Sequence, residues 1–474
     1  MKIYLETMGC QMNRLDSELV IGALRADGHE MVHDRRSADV VLYNTCSVRR
    51  HAEEKVYSRL GAEAKRKASG RKVIVGVLGC MAQREGEQLR KRCPAVDIIC
   101  APGQLHRLAE ILSDGAVRLP VVALDPPRSR PRDEKLQSRC MGIGDLDQGE
   151  AQMDAMDLSR DTTLAPTPSQ AYVRVARGCD RFCAYCVVPF VRGPERSRNP
   201  EHVVEEVRRL VGAGRTTITL LGQTVNRYRY RAGEMTVRFS DLLERVAGVE
   251  GIRRVRFVTS HPVDFDDDIL QAMRDLPAVC EYIHCPAQSG SDAVLSRMNR
   301  GYTRAEYDHF VDRARATVPN VVLAGDFIVG FPGETQADHE ASAELIRRSG
   351  YKNSFIFKYS PRPGTAAARR FGDDVPAEVK KRRNNDLLAV QEEVGLEHHL
   401  GYVGRTMEVL VEGPSPRADR QPSPPAPGQR QLLGRTRGDH IVVFNGRESL
   451  AGKYVNVEIT DATSLTLFGE LLPD

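Results

Sequence analysis

The chain has 474 residues, of which 41% are hydrophobic and 28% charged, and its formal net charge is +4. This length allows two to four domains, and the composition is ordinary for a soluble globular protein. No apolar run approaches the roughly 20 residues that span a bilayer, and the N-terminus lacks the apolar core of a signal peptide. We therefore expect a cytoplasmic protein with no membrane partner. The mild positive charge permits a nucleic-acid partner without arguing for one.

Residues 1–125 alternate short apolar runs with helical patterns. Strands are predicted at "KIYLETMGC", "ADVVLYNTC", "RKVIVGVLGC" and "VDIICAP". The first intervening helix is expected to begin at Asp16 or Ser17 as its N-cap. Strands that alternate with helices predict a doubly wound parallel sheet.

Residues 126–168 are polar, Pro-rich or acidic and have no sustained apolar period, so we interpret them as a linker. Residues 169–400 resume the alternation, with candidate strands at "AYVRVARG", "TTITLLG", "RRVRFVTSHP", "YIHCPAQ", "VVLAGDFIVGFP" and "SFIFKYSP". Six such units fit an incomplete (β/α)6 barrel, in which chemistry is expected at the carboxyl ends of the strands. Residues 401–474 predict a small β-barrel, interrupted by a Pro-rich insertion at 413–431. The expected fold class is α/β with this small barrel appended.

Three of the eleven cysteines stand at the ends of the first three predicted strands. They are Cys10, Cys46 and Cys80, and we call them the auxiliary triad. Because the carboxyl ends of parallel strands open on one edge, these thiols are expected to meet. Gly9 and Gly79 would let the backbone turn tightly around a bulky inorganic cluster. An odd cysteine count in a reducing compartment favours metal ligands or free thiols over disulfides.

A second group, Cys179, Cys183 and Cys186, has C-x3-C-x2-C spacing in "RGCDRFCAYCVVPFVRG". Structural zinc sites usually combine two C-x2-C pairs, and closed iron–sulfur clusters need a fourth ligand. Three thiolates on a [4Fe–4S] cluster would leave one iron open to bind a substrate.

The stretch around this second group resembles the signature of the radical S-adenosylmethionine superfamily. "GCQMNRLDSE", "NTCSVRRHAEEKVYSRLG" and "GVLGCMAQRE" resemble the N-terminal domain of the methylthiotransferase family. "LLGQTVNRY", "RFVTSHP", "PAQSGSD", "DFIVGFPGET" and "YSPRPGT" are similar to its successive barrel strands, and the tail resembles a TRAM domain. The "GCQMN" motif is similar to that of the MiaB-type tRNA methylthiotransferases. The long linker and the Pro-rich insertion depart from the family pattern without removing a motif.

The resemblance implies an enzyme that adds a methylthio group to C2 of N6-isopentenyladenosine at position 37 of tRNA. It implies two [4Fe–4S] clusters. One, on Cys179, Cys183 and Cys186, which we call the radical triad, would cleave S-adenosylmethionine, and the other, on the auxiliary triad, would carry the sulfur. Two S-adenosylmethionine molecules would be used per turnover, and no catalytic residue beyond the cluster cysteines is expected. The implied partners are isopentenylated tRNA and an electron donor such as flavodoxin or ferredoxin, and the protein is expected to be a monomer.

Residues at the expected strand ends are candidates for contact with S-adenosylmethionine. They are Tyr185, Gln223, Asn226, Ser289, Ser291, Gly330 and Glu334. Turn caps and glycine turn geometry are the alternative explanation for the same residues.

Basic residues near the radical triad are candidates for RNA contact. They are Arg192, Arg196 and Arg198 in "VRGPERSR" and Arg227 and Arg229 in "NRYRYR", where arginine alternates with tyrosine. A solvated surface loop is the alternative. His261 and His284 also follow strands, and there we expect hydrogen-bonded core histidines rather than substrate contacts.

Two alternative functions remain at this stage. The same chemistry could act on N6-threonylcarbamoyladenosine in tRNA or on an aspartate of a ribosomal protein. A different class of protein, a non-catalytic RNA-binding iron–sulfur protein, would not cleave S-adenosylmethionine. The two complete triads and the run of barrel motifs argue against it.

Overall fold

The computed structural model describes residues 1–47, 50–113, 120–128, 143–161, 167–416, 418 and 426–473. Residues 129–142 and 162–166 of the predicted linker, and residues 417 and 419–425 of the Pro-rich insertion, lie outside the described residues. None of the described helices combines the length and the apolar character that crossing a membrane requires.

The N-terminal domain is a six-stranded parallel sheet in the order β2-β1-β3-β4-β5-β6, with helices between its strands. The doubly wound sheet predicted from the sequence is therefore confirmed. The elements are β1 (Lys2–Met8), α1 (Gln11–Ala26), β2 (Glu30–Met31), β3 (Val40–Thr45), α2 (Arg50–Ala68), β4 (Ile74–Gly79), α3 (Cys80–Glu85), α4 (Glu87–Arg92), β5 (Ile98–Cys100), α5 (Leu108–Ser113) and β6 (Val121–Ala123).

Helix α1 begins earlier than predicted, with Cys10 as its N-cap. Asp16 and Ser17, the predicted caps, are buried within the helix. The Ser17 hydroxyl lies 2.7 Å from the Thr7 hydroxyl of β1, which donates to it. The predicted helix start is wrong because these short polar side chains satisfy tertiary contacts rather than free backbone N–H groups.

The predicted linker contains a helix, α6 (Ile143–Leu158). Met153 and Met156 of this helix pack into the apolar core of the N-terminal domain. Asp157 is buried and forms ion pairs of 2.8 Å with both Arg174 and Arg177. An unstructured linker is therefore the wrong description of this segment, because its polar side chains find partners in the next domain that no local pattern reveals.

The central domain has the six predicted barrel strands, in two three-stranded parallel sheets ordered β13-β10-β7 and β14-β15-β16. A bridge pairs Val255 of the first sheet with Val279, which lies in the segment just before the second sheet. The elements are β7 (Gln170–Arg174), β8 (Ala176–Arg177), α7 (Val188–Val191), β9 (Arg196–Ser197), α8 (Pro200–Gly212), β10 (Thr217–Leu221), β11 (Arg229–Ala232), β12 (Met235–Arg238), α9 (Phe239–Ala247), β13 (Arg254–Phe257), α10 (Asp267–Asp275), β14 (Tyr282–His284), α11 (Asp292–Arg297), α12 (Arg304–Thr317), β15 (Val322–Val329), α13 (Gln336–Ser349), β16 (Asn353–Lys358), α14 (Ala366–Arg370) and α15 (Ala377–Leu400).

The C-terminal domain is a closed five-stranded barrel in the order β17-β18-β19-β21-β20, as predicted. Its strands are β17 (Thr406–Pro414), β18 (Arg430–Arg435), β19 (Ile441–Gly446), β20 (Tyr454–Ala462) and β21 (Thr466–Leu471). It docks on the amino ends of the central strands: Arg254 donates to the carbonyl of Arg435 at 2.8 Å, and Asp439 lies 3.1 Å from both Arg256 and Lys352. The small barrel therefore leaves the carboxyl edge of the central strands open.

Candidate active site

The auxiliary triad lies at the carboxyl ends of three neighbouring strands. Cys10 follows β1, Cys46 follows β3, and Cys80 opens α3 directly after β4. The strand ends are level, because Thr45 pairs with the last residue of β1 and with the last residue of β4. The structure thus brings together the three thiols that the sequence separates by more than 30 residues each.

Two glycines give this edge its shape. Gly79 has φ +88°, and a Cβ there would lie 2.4 Å from Asn44 Oδ1 and 2.8 Å from the Thr45 carbonyl oxygen. A Cβ at Gly9 would lie 2.5 Å from Asn13 Oδ1. A larger residue at either position would displace the backbone that presents the thiols.

The charge at this edge comes from Arg192 of the central domain. Its Nε donates to Cys80 Sγ at 3.3 Å, and its Nη2 donates to Asp16 Oδ2 at 2.7 Å. A hydrogen bond with Cys46 and the charge of Arg192 outweigh the effect of burial and lower the pKa of Cys10 to about 5. Burial raises the pKa of Cys80, and Arg192 opposes that rise. A fixed cation therefore favours the thiolate form, which is the form that binds iron.

The radical triad lies in the loop between β8 and α7. The loop turns tightly, with the Cys186 amide donating to the Cys183 carbonyl at 3.0 Å. Gly178, just before the first cysteine, has φ +66°, and a Cβ there would lie 1.8 Å from the Pro194 carbonyl oxygen. Only glycine fits this position, so the sequence "RGC" is a geometric requirement of the loop.

Arg300 is the buried cation beside the radical triad, and no motif in the sequence marks it. Its Nη1 donates to Cys183 Sγ and to the Tyr185 hydroxyl, both at 3.3 Å. Burial raises the pKa of Cys179 to about 11 and also raises that of Cys186. Arginines commonly follow helices, as Arg300 follows α11. Its position in the sequence therefore gives no sign that it contacts the cysteines.

Both triads offer thiols, the ligand type that iron–sulfur clusters use. Within the described residues, no three His, Cys, Asp or Glu side chains converge on the position of one metal ion. Each triad instead offers three thiols, a buried arginine and a glycine turn.

One helix, α7, lies next to both triads and forms a wall that they share. Helix α7 begins two residues after Cys186, and its Val191, together with Val187, packs against Cys80 of the auxiliary triad. Arg192, at the end of the same helix, bonds to that cysteine. The sequence could not give the relation between the two sites, and the tertiary structure makes them neighbours across the domain interface.

Two of the predicted RNA contacts are buried ion-pair partners, which corrects their assignment. Arg192 is held by Asp16 and the auxiliary triad, as described above. Arg198 has a side chain that is 2% exposed and donates to Glu206 Oε2 at 2.7 Å and to the Arg174 carbonyl at 2.6 Å. Neither guanidinium is available to a phosphate, because both face the interior between domains.

The other arginine candidates remain at the surface or partly so. Arg227 is 42% exposed and lies 3.6 Å from Glu195. Arg229 is exposed on β11, and Arg196 is half-buried on β9. These three stay as predictions for RNA contact.

Several candidates for S-adenosylmethionine contact are engaged in structural hydrogen bonds. The Asn226 amide both donates to the His261 carbonyl and accepts from its backbone N–H, each at 2.9 Å. Ser291 caps α11 by accepting from the Val294 amide and also donates to Asp338. These bonds are the structural explanation that the sequence left open, and they fix the loops at the carboxyl edge.

Two of the remaining candidates for contact with S-adenosylmethionine, Ser289 and Glu334, also form structural hydrogen bonds. Ser289 is buried and accepts from the Ser291 amide at 3.2 Å. Glu334 accepts from the Gly330 amide at 2.6 Å and pairs with Arg383 at 2.7 Å, which fixes the turn after β15. Burial raises the pKa of Glu334. Gln223 and Tyr185, which are half-buried, stay as predictions for contact with S-adenosylmethionine.

His261 departs from the expectation of a hydrogen-bonded core histidine. It is buried at the carboxyl end of β13, and neither ring nitrogen has a hydrogen-bond partner among the described residues. His284, in contrast, lies 3.3 Å from Asp326 Oδ1, as a bonded histidine would. The Nδ1 atom of His261 lies 4.0 Å from Asp264 Oδ2, and burial lowers the pKa of the His261 ring.

A three-cysteine loop at the carboxyl edge of a six-stranded β/α partial barrel defines a radical S-adenosylmethionine enzyme. Family models agree: residues 2–101 match the "Uncharacterized protein family UPF0004", residues 173–346 the "Radical SAM superfamily" and residues 401–472 the "TRAM domain". The superfamily uses a [4Fe–4S] cluster with S-adenosylmethionine, and the radical triad stays our prediction for the thiols that hold it.

The curated relatives cover essentially the whole chain. A tRNA-2-methylthio-N(6)-dimethylallyladenosine synthase of Rhodopirellula baltica is 46% identical over 99% of this chain and 95% of the relative. Proteins of the same name from Geobacter metallireducens and Clostridium botulinum are 41% and 40% identical, over 99% of this chain and 98% and 96% of their own. The chain therefore belongs to the family of tRNA-2-methylthio-N(6)-dimethylallyladenosine synthases.

Solved structures share the fold at low sequence identity. The radical S-adenosylmethionine methyltransferase TsrM from Kitasatospora setae, solved with cobalamin and a [4Fe-4S] cluster bound, has a TM-score of 0.55 and 14% identity. The similarity covers 77% of this chain and 74% of that one. This likeness concerns the fold alone.

Proposed function

We propose that this enzyme adds a methylthio group to C2 of N6-isopentenyladenosine at position 37 of tRNA. Relatives named for this product match the chain from end to end. The single observation that supports the proposal most is the wall shared by the two triads, formed by α7 against Cys80. Two neighbouring cysteine sites on two domains suit a reaction that has to activate a C–H bond and deliver sulfur at the same carbon.

When bound, an iron–sulfur cluster with S-adenosylmethionine supplies radical chemistry that acid–base groups cannot, and a second cluster supplies the sulfur. The chain's own residues position these groups. Arg300 and Arg192 each place one buried guanidinium beside a cysteine of their triad. The Asn226 amide links the loops after β10 and β13, which keeps that edge in register.

The proposal includes features that go beyond the family fold. The auxiliary triad would hold a second [4Fe–4S] cluster, and two S-adenosylmethionine molecules would be consumed per turnover. A flavodoxin or ferredoxin would supply electrons to a cytoplasmic, monomeric enzyme. The TRAM barrel, together with Arg196, Arg227 and Arg229, would contribute to binding of the tRNA, since small barrels of this type bind RNA through basic and aromatic groups.

The test is anaerobic reconstitution followed by mass spectrometry of the nucleosides of isopentenylated tRNA. We expect about eight irons per chain, which is two four-iron clusters. Cys46→Ser should halve the iron and abolish the methylthio product while 5′-deoxyadenosine still forms, and Cys179→Ser should abolish both products. Cys93→Ser, outside both triads, is the matched control. A wild-type chain that holds only about four irons would refute the second cluster.

The same experiment separates the alternative functions. Product on threonylcarbamoylated tRNA or on a ribosomal protein, with none on isopentenylated tRNA, would change the substrate but keep the chemistry. A chain that fails to cleave S-adenosylmethionine under strong reductant would be a non-catalytic iron–sulfur protein.

A further inference from the structure

A basic groove runs between the N-terminal and central domains. It encloses about 1240 Å³ and is lined by residues 83–85, 88 and 92 of the N-terminal domain, by residues 127 and 128 and, from the central domain, by residues 187, 190, 191, 363, 364, 369 and 370. Part of its wall is α7, the helix that also packs against the auxiliary triad. A ligand in this groove would therefore lie beside the wall that the two cysteine sites share.

The charge of the lining is strongly one-sided. Among the described residues that form it there is one carboxylate, Glu85, and the five arginines are Arg84, Arg92, Arg128, Arg369 and Arg370. A concave surface that carries charge of one sign concentrates ligands of the opposite sign.

Two of these arginines have structural roles. Arg84 pairs with Glu53 at 2.5 Å and with Glu85 at 2.6 Å, so its charge is compensated. Arg128 pairs with Asp180 and donates to the Cys179 carbonyl at 3.1 Å, which ties the groove wall to the loop of the radical triad. They shape the groove, and the excess positive charge comes from the others.

The other three arginines face solvent. Arg369 and Arg370 end α14, are exposed, and form no ion pair with any described residue. Arg92, on the opposite wall, is 61% exposed, lies 3.8 Å from Glu85 and stacks on the ring of Tyr57 at 4.4 Å. Guanidiniums on two facing walls can contact one chain of phosphates from both sides.

We propose that this groove binds the phosphate backbone of the tRNA anticodon stem-loop, with Arg92, Arg369 and Arg370 as the phosphate contacts. The inference rests on the proposed function and adds to it the surface that guides the substrate to the two triads. The half-buried ring of Phe190 in the lining offers a face on which a base of the loop can stack. An acidic electron-donor protein is the competing partner, but a concave groove with an aromatic ring and cations on facing walls matches a nucleic-acid strand better than a protein surface.

The experiment measures binding of a fluorescent anticodon stem-loop that contains N6-isopentenyladenosine to the full chain between 50 and 300 mM salt, a range of about sixfold that resolves the slope. Arg369→Gln with Arg370→Gln should reduce the slope of log K against log salt by about 1.4, at about 0.7 for each single-strand phosphate that is no longer neutralised. The ratio of affinities for the isopentenylated and unmodified stem-loops should not change, because phosphate contacts carry no base information.

Arg208→Gln with Arg209→Gln is the matched control. It removes the same charge from exposed positions on α8, outside the groove, and should leave the slope unchanged. Equal slopes for both double variants, with unaltered thermal unfolding, would overturn the inference.

Two further outcomes are distinguishable. If the groove variant binds RNA normally but is reduced more slowly by flavodoxin, the groove belongs to an electron donor and the inference is refuted. If the wild-type chain makes the methylthio product and the groove variant binds RNA with the wild-type slope, the inference is refuted while the proposed function stands. A wild-type chain that makes no product on isopentenylated tRNA contradicts the proposed function instead, whatever the slopes are.

Discussion

The buried contact between Asp16 and Arg192 joins the N-terminal domain to the central domain, and its removal is the most informative perturbation. Asp16 lies on α1 and is fully buried. It accepts from Arg192 at 2.7 Å and from Arg174 at 3.2 Å, and both arginines belong to the central domain. Asp16→Asn keeps the shape of the side chain but leaves two buried guanidiniums without this carboxylate.

The distance between the Asp16 carboxylate and the Arg192 guanidinium sets the size of the expected destabilisation. At 2.7 Å and an effective dielectric constant of 20, the Coulomb attraction of the Asp16–Arg192 pair is about 6 kcal/mol, of which the loss of hydration offsets a large part. Removing one partner of a buried pair usually costs about 3–5 kcal/mol, because the other charge stays buried and uncompensated. We expect Asp16→Asn and Arg192→Met each to destabilise the apo protein by about 3 kcal/mol or more.

A double-mutant cycle measured by urea unfolding checks this reasoning. Because the two single variants remove the same contact, the double variant should cost at least about 1 kcal/mol less than their sum. Glu205→Gln, in the exposed pair with Arg208, is the control and should change the free energy of unfolding by less than about 1 kcal/mol. Additivity within about 0.5 kcal/mol would refute the claim that this ion pair holds the two domains together.

Three further predictions follow from single contacts. Gly178→Ala should destabilise the loop by about 1–3 kcal/mol, because alanine would be strained at this positive φ and its Cβ would collide with Pro194. The variant should therefore bind less iron at the radical triad. Cys46→Ser, made in parallel as the control, should lower only the iron at the auxiliary triad. Burial alone would raise the pKa of Asp439, but Lys352 and its neighbouring arginines outweigh burial and hold that pKa below the usual value of about 3.9. The ionised carboxylate thus stabilises the docked barrel above about pH 4 and the contribution is lost as the pH falls further, so calorimetry of the apo protein from pH 6 to 3 should show an acid destabilisation that Asp439→Asn flattens. Arg300→Met should reduce 5′-deoxyadenosine formation and iron retention at the radical triad without altering the auxiliary iron, and equal loss from both triads would argue for a general folding defect.

The sequence predicted the architecture well where a local pattern reports it. Alternating apolar runs and helical periods predicted the parallel sheet of the N-terminal domain and the six barrel strands. This works because the spacing of apolar residues along a strand or an amphipathic helix shows which of its faces is buried. The cysteines of the auxiliary triad follow from the same logic, since a residue at the end of a parallel strand shares an edge with its neighbours. Spacing alone marked the radical triad.

The sequence failed where a polar side chain depends on a distant partner. Helix α6 was missed because Asp157 finds its arginines in the next domain. Arg192 and Arg198 look like a solvated basic loop in "VRGPERSR", yet both are buried against carboxylates from other elements. The sequence does not show whether a charged side chain is exposed to water or buried in an ion pair, so only the folded structure distinguishes these cases.

The amino-acid sequence by itself thus determined the fold class and the family and singled out six candidate cluster cysteines, because each is recorded in local order and spacing. The tertiary structure decided that the two triads lie near one another, which arginines hydrogen-bond to the thiols and which face solvent in the groove, and where the small barrel docks. These relations depend on contacts between residues far apart in the chain. Their energies come from burial and charge pairing across domain interfaces, which no local pattern records.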